Sequence, residues 1–489
     1  MIGDSRNLTM LTDFYELTMM QGYLNTGMAD RIVVFDLFYR RNPSGNGYAI
    51  AAGLEQAAEY IYGLHFSDED LDYLNKTGYF SKAFINALAG FRFTGDIYAI
   101  PEGTAVFPQE PLIKVKAPLF QAQLLETALL TIINHQSLIA TKAARVCQAA
   151  QGDPVLEFGL RRAQGADAGI YGARAAVIGG CTATSNVLAG RMFDISIRGT
   201  HAHSWVMSFS DELSAFRAYA KAFPQACVLL VDTYDTLRSG VPNAITVFKE
   251  MREAGVPLAN YGIRLDSGDL AYISKMSRRM LDAEGFTDAV ISASGDLDEN
   301  LIAQLKIQGA KISLWGVGTN LITSLDWPAF GGVYKLAAEM DGSGVMTPKI
   351  KLSENPEKIT NPGDKKIFRL YDCRNGKFKA DLIALADENL DAAEDLTIFD
   401  PMATWKSMTL KAGTYSAREL LTPVFLNGER VYDMPGIKDI QAYCKKELDS
   451  LWDEHKRLSN PQIAYVDLSQ RLYDLKQQMI MQMRRPLLS

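Results

Sequence analysis

The chain is poor in the residues that would mark it for several common tasks. Only five of its 489 residues are histidine and five are cysteine. The cysteines (Cys147, Cys181, Cys227, Cys373 and Cys444) are scattered, with no CxxC pair, so neither a disulfide scaffold nor a zinc site is expected and the thiols read as reduced. No excess of positive charge exists: 50 Lys and Arg against 57 Asp and Glu give a net charge of −7, which argues against a general nucleic-acid binder. Apolar runs stay short. Val228-Leu229-Leu230-Val231 is strand-sized and far too short to span a bilayer, and the polar start Met1–Arg6 does not read as a signal peptide. A cytoplasmic globular protein is the expectation. At this length one simple core is excluded, and two or three domains follow.

Against that scarcity, two of the five histidines stand two residues apart in Ile197-Arg198-Gly199-Thr200-His201-Ala202-His203-Ser204-Trp205. Imidazole can take up a proton or a phosphoryl group near neutral pH, and a small-residue turn leaves backbone N–H groups free to face an anion. Two buried, hydrogen-bonded histidines would give the same pattern.

Three stretches are expected. Residues 1–150 read as a mixed α+β domain. Helical spacing follows Thr12-Asp13 over Leu11–Gly22, strands run over Arg31–Tyr39, Ile97–Val106 and Leu112–Val115, and Gln121–Ala150 is a long helix without Pro or Gly. Residues 151–350 alternate short β-rich runs with helical segments: Val155–Phe158, Ala176–Ile178, Ile195–Ile197, Val228–Val231, Tyr261–Leu265, Ala289–Ala293, Ile312–Trp315 and Val333–Leu336. A repeat of roughly 20–35 residues fits βα units closing into a barrel, whose polar strand tips gather on one face. Those tips are Arg161, Thr184-Ser185, His203, Asp232, Arg264 with Asp266, Gly295-Asp296, Gly318-Thr319 and Lys335. An open doubly wound sheet is the structural alternative. Residues 351–489 form a turn-rich extension, with hairpin turns at Arg374–Lys377 and Asn427-Gly428 and two terminal helices broken near Asn460-Pro461.

Several tips carry chemistry. Glu157–Gly165 sets Phe158 beside Arg161 and Arg162, a ring for stacking and guanidinium forks for an anion. Gly179-Gly180 leads through hydroxyls to Ser185-Asn186 and a helix start, which suits either a phosphate or a simple cap. Arg264, Asp266 and Asp269 share one tip with Asp232 nearby, and paired aspartates can hold a ribose or a magnesium ion. Gly295-Asp296 and Gly318-Thr319 allow close backbone approach to a ligand.

Taken in order, Leu11–Met19, Phe38–Pro43, Glu157–Gly165, Ser185–Gly190, Gly199–Ser204, Arg264–Asp269, Gly331–Leu336 and Lys351–Lys358 resemble the nicotinate phosphoribosyltransferases, a family of type II phosphoribosyltransferases. The resemblance implies an irregular (β/α) barrel with a mixed α+β N-terminal domain and a C-terminal extension that packs partly on it. It implies an NAD-salvage reaction in which nicotinate and 5-phosphoribosyl 1-pyrophosphate give nicotinate mononucleotide and pyrophosphate, coupled to ATP hydrolysis through a phosphohistidine. The family's Gly-Thr-x-Ala-His-Ser segment maps that histidine to His203, with His201 at the x position. Thr200 and Arg264 match nicotinate-contacting positions. Tyr15 matches a stacking residue lent by the neighbouring subunit of a homodimer, opposite Phe158. Thr319 matches a phosphoribosyl contact, while Ser185, Asn186, Asp232, Asp266, Gly295, Asp296 and Gly318 fall in substrate-holding segments. Magnesium would sit at Asp266 and Asp269. Rival readings are a nicotinamide-using relative, a barrel lyase or isomerase with Lys335 as a Schiff-base lysine, and a non-catalytic ligand-binding scaffold.

Overall fold

The computed structural model describes residues 6–484, so the polar start read at Met1–Arg6 falls almost entirely outside the described residues. The chain divides into two compact units, 139–328 and 2–138 with 329–489. These differ from three consecutive stretches, because the chain leaves the second unit inside the helix Glu126–Ala149 and returns to it after Pro328.

The unit 139–328 is built on six parallel strands: β1 (Val155–Glu157), β2 (Ala183–Thr184), β3 (Cys227–Leu230), β4 (Tyr261–Leu265), β5 (Val290–Ala293) and β6 (Leu314–Val317). Their hydrogen-bonded order is β2-β1-β6-β5-β4-β3, a ring of consecutive staves opened between β2 and β3. The sheet is a curled half-barrel, in keeping with the irregular (β/α) barrel expected. Strand residues are buried almost throughout, as in a parallel sheet covered on both faces.

Three of the eight expected strands are something else. Ala176–Ile178 is the last turn of the helix Ala166–Ile178, where a run of alanines continues the helix until Gly179-Gly180 ends it. A three-residue apolar run cannot distinguish the two. Ile195–Ile197 contributes only an isolated bridge, Ile197 to Thr184. Val333–Leu336 belongs to the other unit, in the strand Gly332–Met340 that runs antiparallel to Ile32–Tyr39, with Lys335 opposite Asp36. Lys335 therefore stands on no tip of the parallel sheet. Its Nζ donates to the Tyr334 carbonyl at 2.6 Å.

The second unit carries a seven-stranded and a four-stranded sheet. The larger runs Met346–Pro348, Gly332–Met340, Ile32–Tyr39, Ile113–Pro118, Asp96–Ala99, Thr422–Leu426 and Glu429–Arg430. The hairpins at 374–377 and 427–428 join Lys365–Asp372 to Phe378–Leu385 and Thr422–Leu426 to Glu429–Arg430 as expected. The first helix is Phe14–Asn25. Asp13 precedes it, but its carboxylate accepts from Thr127 Oγ1 at 2.9 Å instead of capping.

In the barrel unit, Glu299 is fully buried at the start of the helix Glu299–Ile307. It accepts from Lys142 Nζ and Arg145 Nε at 3.0 Å each, and Lys142 also reaches Asp326 at 2.6 Å. Removing one member strands buried charge. Glu299→Ala should therefore cost about 3–5 kcal/mol, read as a lower urea midpoint; a shift under about 1 kcal/mol, the worth of an exposed pair, would contradict this.

Candidate active site

Every strand of the half-barrel ends in a residue that faces a single cleft of about 560 Å³ or supports its wall. That volume suits a nucleotide-sized ligand. From β1 come Phe158, Leu160, Arg161 and Arg162; from β2, Ser185; from β4, Arg264 and Asp266; from β5, Ser294, Gly295 and Asp296; from β6, Gly318 and Thr319. Gly316 of β6 and the segment Gly199, Thr200, His201 and Ala202 complete the lining. Two glycines are needed for shape. A Cβ on Gly316 would sit 2.6 Å from the Phe158 ring, and one on Gly295, at φ +90°, would sit 2.3 Å from the Asp266 carbonyl.

The polar groups are tied across strands. Glu157 is fully buried, and its carboxylate accepts from Thr184 Oγ1 at 2.5 Å and from the Gly159 amide, joining the β1 tip to β2. Arg264 donates to Thr200 Oγ1, and its Nε is buried without a partner. Burial holds the Arg264 pKa below its usual value, against the opposing pull of Asp266 and Asp232. A guanidinium so placed, desolvated and with Nε free of hydrogen bonds, can receive an anionic group. Asp266 accepts from Ser294 Oγ. Asp232 accepts from the Asp266 amide at 3.1 Å and from Ser267 Oγ at 2.6 Å through Oδ2, leaving its Oδ1 buried without a hydrogen bond.

The two histidines have different environments. His203 begins the short helix His203–Met207, with its side chain 40% exposed. Its Nδ1 is 3.1 Å from Thr233 Oγ1, and its Nε2 lies 3.8 Å from Asp232 and 3.9 Å from Asp266. It is thus an accessible imidazole backed by two carboxylates. His201 is 8% exposed and packs edge-on to Tyr219 at 4.7 Å. Its Nε2 accepts the Leu230 amide at 3.2 Å, and its Nδ1 is 3.3 Å from the Ala202 carbonyl. Both contacts are met by the neutral Nδ1–H tautomer. Burial, with Arg264 and His203 adding to it, pushes the His201 pKa down to about 4.

Five expected residues lie off the cleft wall, two of them, His203 and Asp232, standing directly behind its Asp266. Asn186 is buried as the cap of the helix Val187–Phe193, accepting from the Ala189 amide at 3.1 Å and donating to the Gly169 carbonyl at 3.1 Å. Asp269 caps the helix Leu270–Ala283 through the Tyr272 amide at 3.0 Å. Tyr15 belongs to the other unit and is 45% exposed. Partial burial and then Glu126 raise its phenol to about 12, so its ring is neutral at ordinary pH. Thr233 and Ser294 were not singled out from the sequence, although each is the polar residue next to a strand tip that was. Among the described residues no cluster of three or more His, Cys, Asp or Glu could hold a metal ion by itself, and no helix is long and apolar enough to cross a membrane.

Comparison with known proteins covers nearly the whole chain. Profiles described as the nicotinate phosphoribosyltransferase N-terminal domain, family and C-terminal domain match residues 10–134, 154–371 and 364–476. A nicotinate phosphoribosyltransferase of Bacillus subtilis (strain 168) is 48% identical over 474 residues, 97% of this chain and 95% of that protein. The crystal structure of human nicotinic acid phosphoribosyltransferase matches at a TM-score of 0.82 and 31% identity, covering 96% of this chain and 100% of that one. A nicotinate-nucleotide pyrophosphorylase from Pyrococcus furiosus, at a TM-score of 0.68 and 23% identity over 92% of this chain and 97% of that one, speaks to the fold alone.

Because folding holds His201 neutral, the unfolded chain binds a proton there below about pH 6.5 while the native chain does not until about pH 4. Stability is thus fully present above the unfolded value and is lost as pH falls through this window, on the order of 3 kcal/mol in total. Urea midpoints at pH 7 and pH 4.5 should fall further apart for the wild type than for His201→Gln, which does not titrate. Equal separations would contradict the assignment.

Proposed function

The chain belongs to the nicotinate phosphoribosyltransferase family, and from that membership we propose that it joins nicotinate to 5-phosphoribosyl 1-pyrophosphate, making nicotinate mononucleotide and pyrophosphate in NAD salvage, with transfer coupled to ATP hydrolysis. The observation that carries the reading is the meeting of an accessible imidazole, a desolvated arginine and paired aspartates at one cleft: His203 within 3.9 Å of Asp266, which lines the cleft with Arg264.

Nicotinate's carboxylate pairs with Arg264 beside Thr200, and its ring lies on Phe158. The opposite face of the ring is covered by Tyr15 of a second subunit, so the working form is a homodimer. The phosphorylated ribose occupies the backbone at Gly295-Asp296 and Gly318-Thr319, with Ser185 and Arg161 as further polar contacts. The pyridine nitrogen forms the new bond to the ribose carbon as the bond to pyrophosphate breaks. The nitrogen is itself the nucleophile, so no protein base is needed, and orientation supplies much of the rate.

Magnesium suits the aspartate side of the cleft. The Oδ1 of Asp232, buried without a hydrogen bond, and the cleft-lining carboxylate of Asp266 are hard oxygen donors, and magnesium ordinarily combines one or two carboxylates with substrate phosphates. Asp269, whose carboxylate caps a helix, is the weaker candidate. When bound, the ion supplies positive charge to the departing pyrophosphate.

His203 acts in a separate cycle. An imidazole nitrogen attacks the γ-phosphorus of ATP, ADP leaves, and water later releases phosphate from the phosphohistidine. Asp232 and Asp266 stabilise the cationic ring during this cycle. A nicotinamide-using enzyme is disfavoured, because a neutral amide leaves Arg264 without a counter-charge. The family membership leaves no place for the Lys335 lyase reading or for a scaffold without catalysis.

His203→Ala should abolish ATP hydrolysis and its coupling while slow, ATP-independent transfer persists. Equal loss of both in a folded variant would contradict the separate role. Arg264→Met should lower kcat/KM for nicotinate about 30- to 4,000-fold, the effect of about 2–5 kcal/mol for a buried charge contact, and should narrow the preference over nicotinamide. A unique loss of ribose-donor binding would contradict the assignment.

A further inference from the structure

The ring of staves has one gap, between β2 and β3, and the segment carrying Thr200 and His203 fills it. On the β2 side the filling is backbone pairing: the Thr184 amide donates to the Ser196 carbonyl at 3.1 Å and the Arg198 amide to the Thr184 carbonyl at 2.9 Å. On the β3 side, among the described residues, the segment makes no backbone pairing. Val231 donates its amide to the Arg264 carbonyl of β4 at 3.2 Å. Strand amides alternate in direction, so the Leu230 amide faces the open edge. It is buried there and needs an acceptor. The acceptor it finds is a side chain, Nε2 of His201.

We propose that His201 is a positioning residue whose imidazole fastens the Thr200–His203 turn to the edge of β3 and so sets both the nicotinate contact and the phosphoryl acceptor. The proposal rests on the functional reading above. The fastening is local to the chemistry. Just past Leu230 and Val231 on the same strand end come Asp232 and Thr233, which face His203. Arg264, which holds Thr200, is level with Leu230 on β4. A turn pinned by backbone at 198 and by the imidazole at 201 is fixed to both edges of the gap, whereas without the second link only the side-chain contacts of Thr200 to Arg264 and His203 to Thr233 tie it to the far side, and both loosen together. The Gly295-Asp296 and Gly318-Thr319 tips stand on β5 and β6 and do not depend on this link.

The test compares His201→Gln, which keeps an acceptor near the position of Nε2, with His201→Met, which keeps the bulk and removes it. Three readouts are needed: phosphohistidine formation from γ-labelled ATP, KM for nicotinate and for 5-phosphoribosyl 1-pyrophosphate, and hydrogen exchange at the Leu230 amide. His201→Met should slow phosphohistidine formation at least tenfold and raise KM for nicotinate at least fivefold. KM for the ribose donor should stay within twofold, and Leu230 exchange should quicken. His201→Gln should return each value to within threefold of wild type. Unchanged values in His201→Met would overturn the proposal, as would both substrates' KM rising together or a Leu230 amide that exchanges freely in the wild type. The exchange measurement needs no folded variant and no turnover. Absence of nicotinate mononucleotide formation by the wild type would instead strike the functional reading.

Discussion

The barrel unit depends on closing a ring of six parallel strands where no seventh strand exists. Parallel sheets need both edges satisfied or covered, since an exposed edge presents unpaired amides and carbonyls. Here the edges of β2 and β3 are joined by an irregular segment, by backbone on one side and by an imidazole on the other. An irregular closure costs regularity but gives freedom of placement. A true strand would alternate its side chains across two faces. The turn at 199–203 instead directs Thr200, His201 and Ala202 to the cleft and His203 to the aspartates.

The electrostatics follow from the same closure. Arg264 and Asp232 stand on neighbouring strand ends, and both keep a buried polar atom without a hydrogen bond. Unsatisfied buried groups are costly, and they are retained where a ligand satisfies them. Arg264 Nε favours an anion and Asp232 Oδ1 favours a cation or a donated proton, which is the charge pattern the proposed substrates call for. Thr200 accepts from Arg264 and the Asp266 amide donates to Asp232, so each group is oriented by a neighbour.

Much of this was legible in the sequence because parallel strands announce their ends. Tyr261–Leu265 was delimited to the residue, since turn-forming Asp266-Ser267-Gly268 follows it. The tips Phe158, Arg161, Ser185, Thr200, Arg264, Asp266, Gly295, Asp296, Gly318 and Thr319 all line the cleft. What failed was local. Ala176–Ile178 is apolar enough for either a strand or a buried helix turn, and only the tertiary packing decides. Lys335 looked like a strand tip because it ends an apolar run, yet its antiparallel partner is some 300 residues away, a pairing that no local pattern reveals. The different surroundings of His201 and His203 escape the sequence for a similar reason: the Leu230 amide that pairs with the first is on a strand whose edge status depends on the whole ring.

That long-range pairing affects how the protein is made. The strand Ile32–Tyr39 has one neighbour close in sequence, Ile113–Pro118, and one far away, Gly332–Met340. During translation at about 5–20 residues per second, the second edge stays bare for roughly 15–60 s after its own synthesis. Its residues Val33 to Tyr39 are almost all apolar and end fully buried. A ribosome-bound chain therefore offers a sticky β-edge for most of its synthesis, and Asp36 in the middle of that strand is the one charge positioned to discourage a stray strand from docking there before Lys365 arrives to neutralise it.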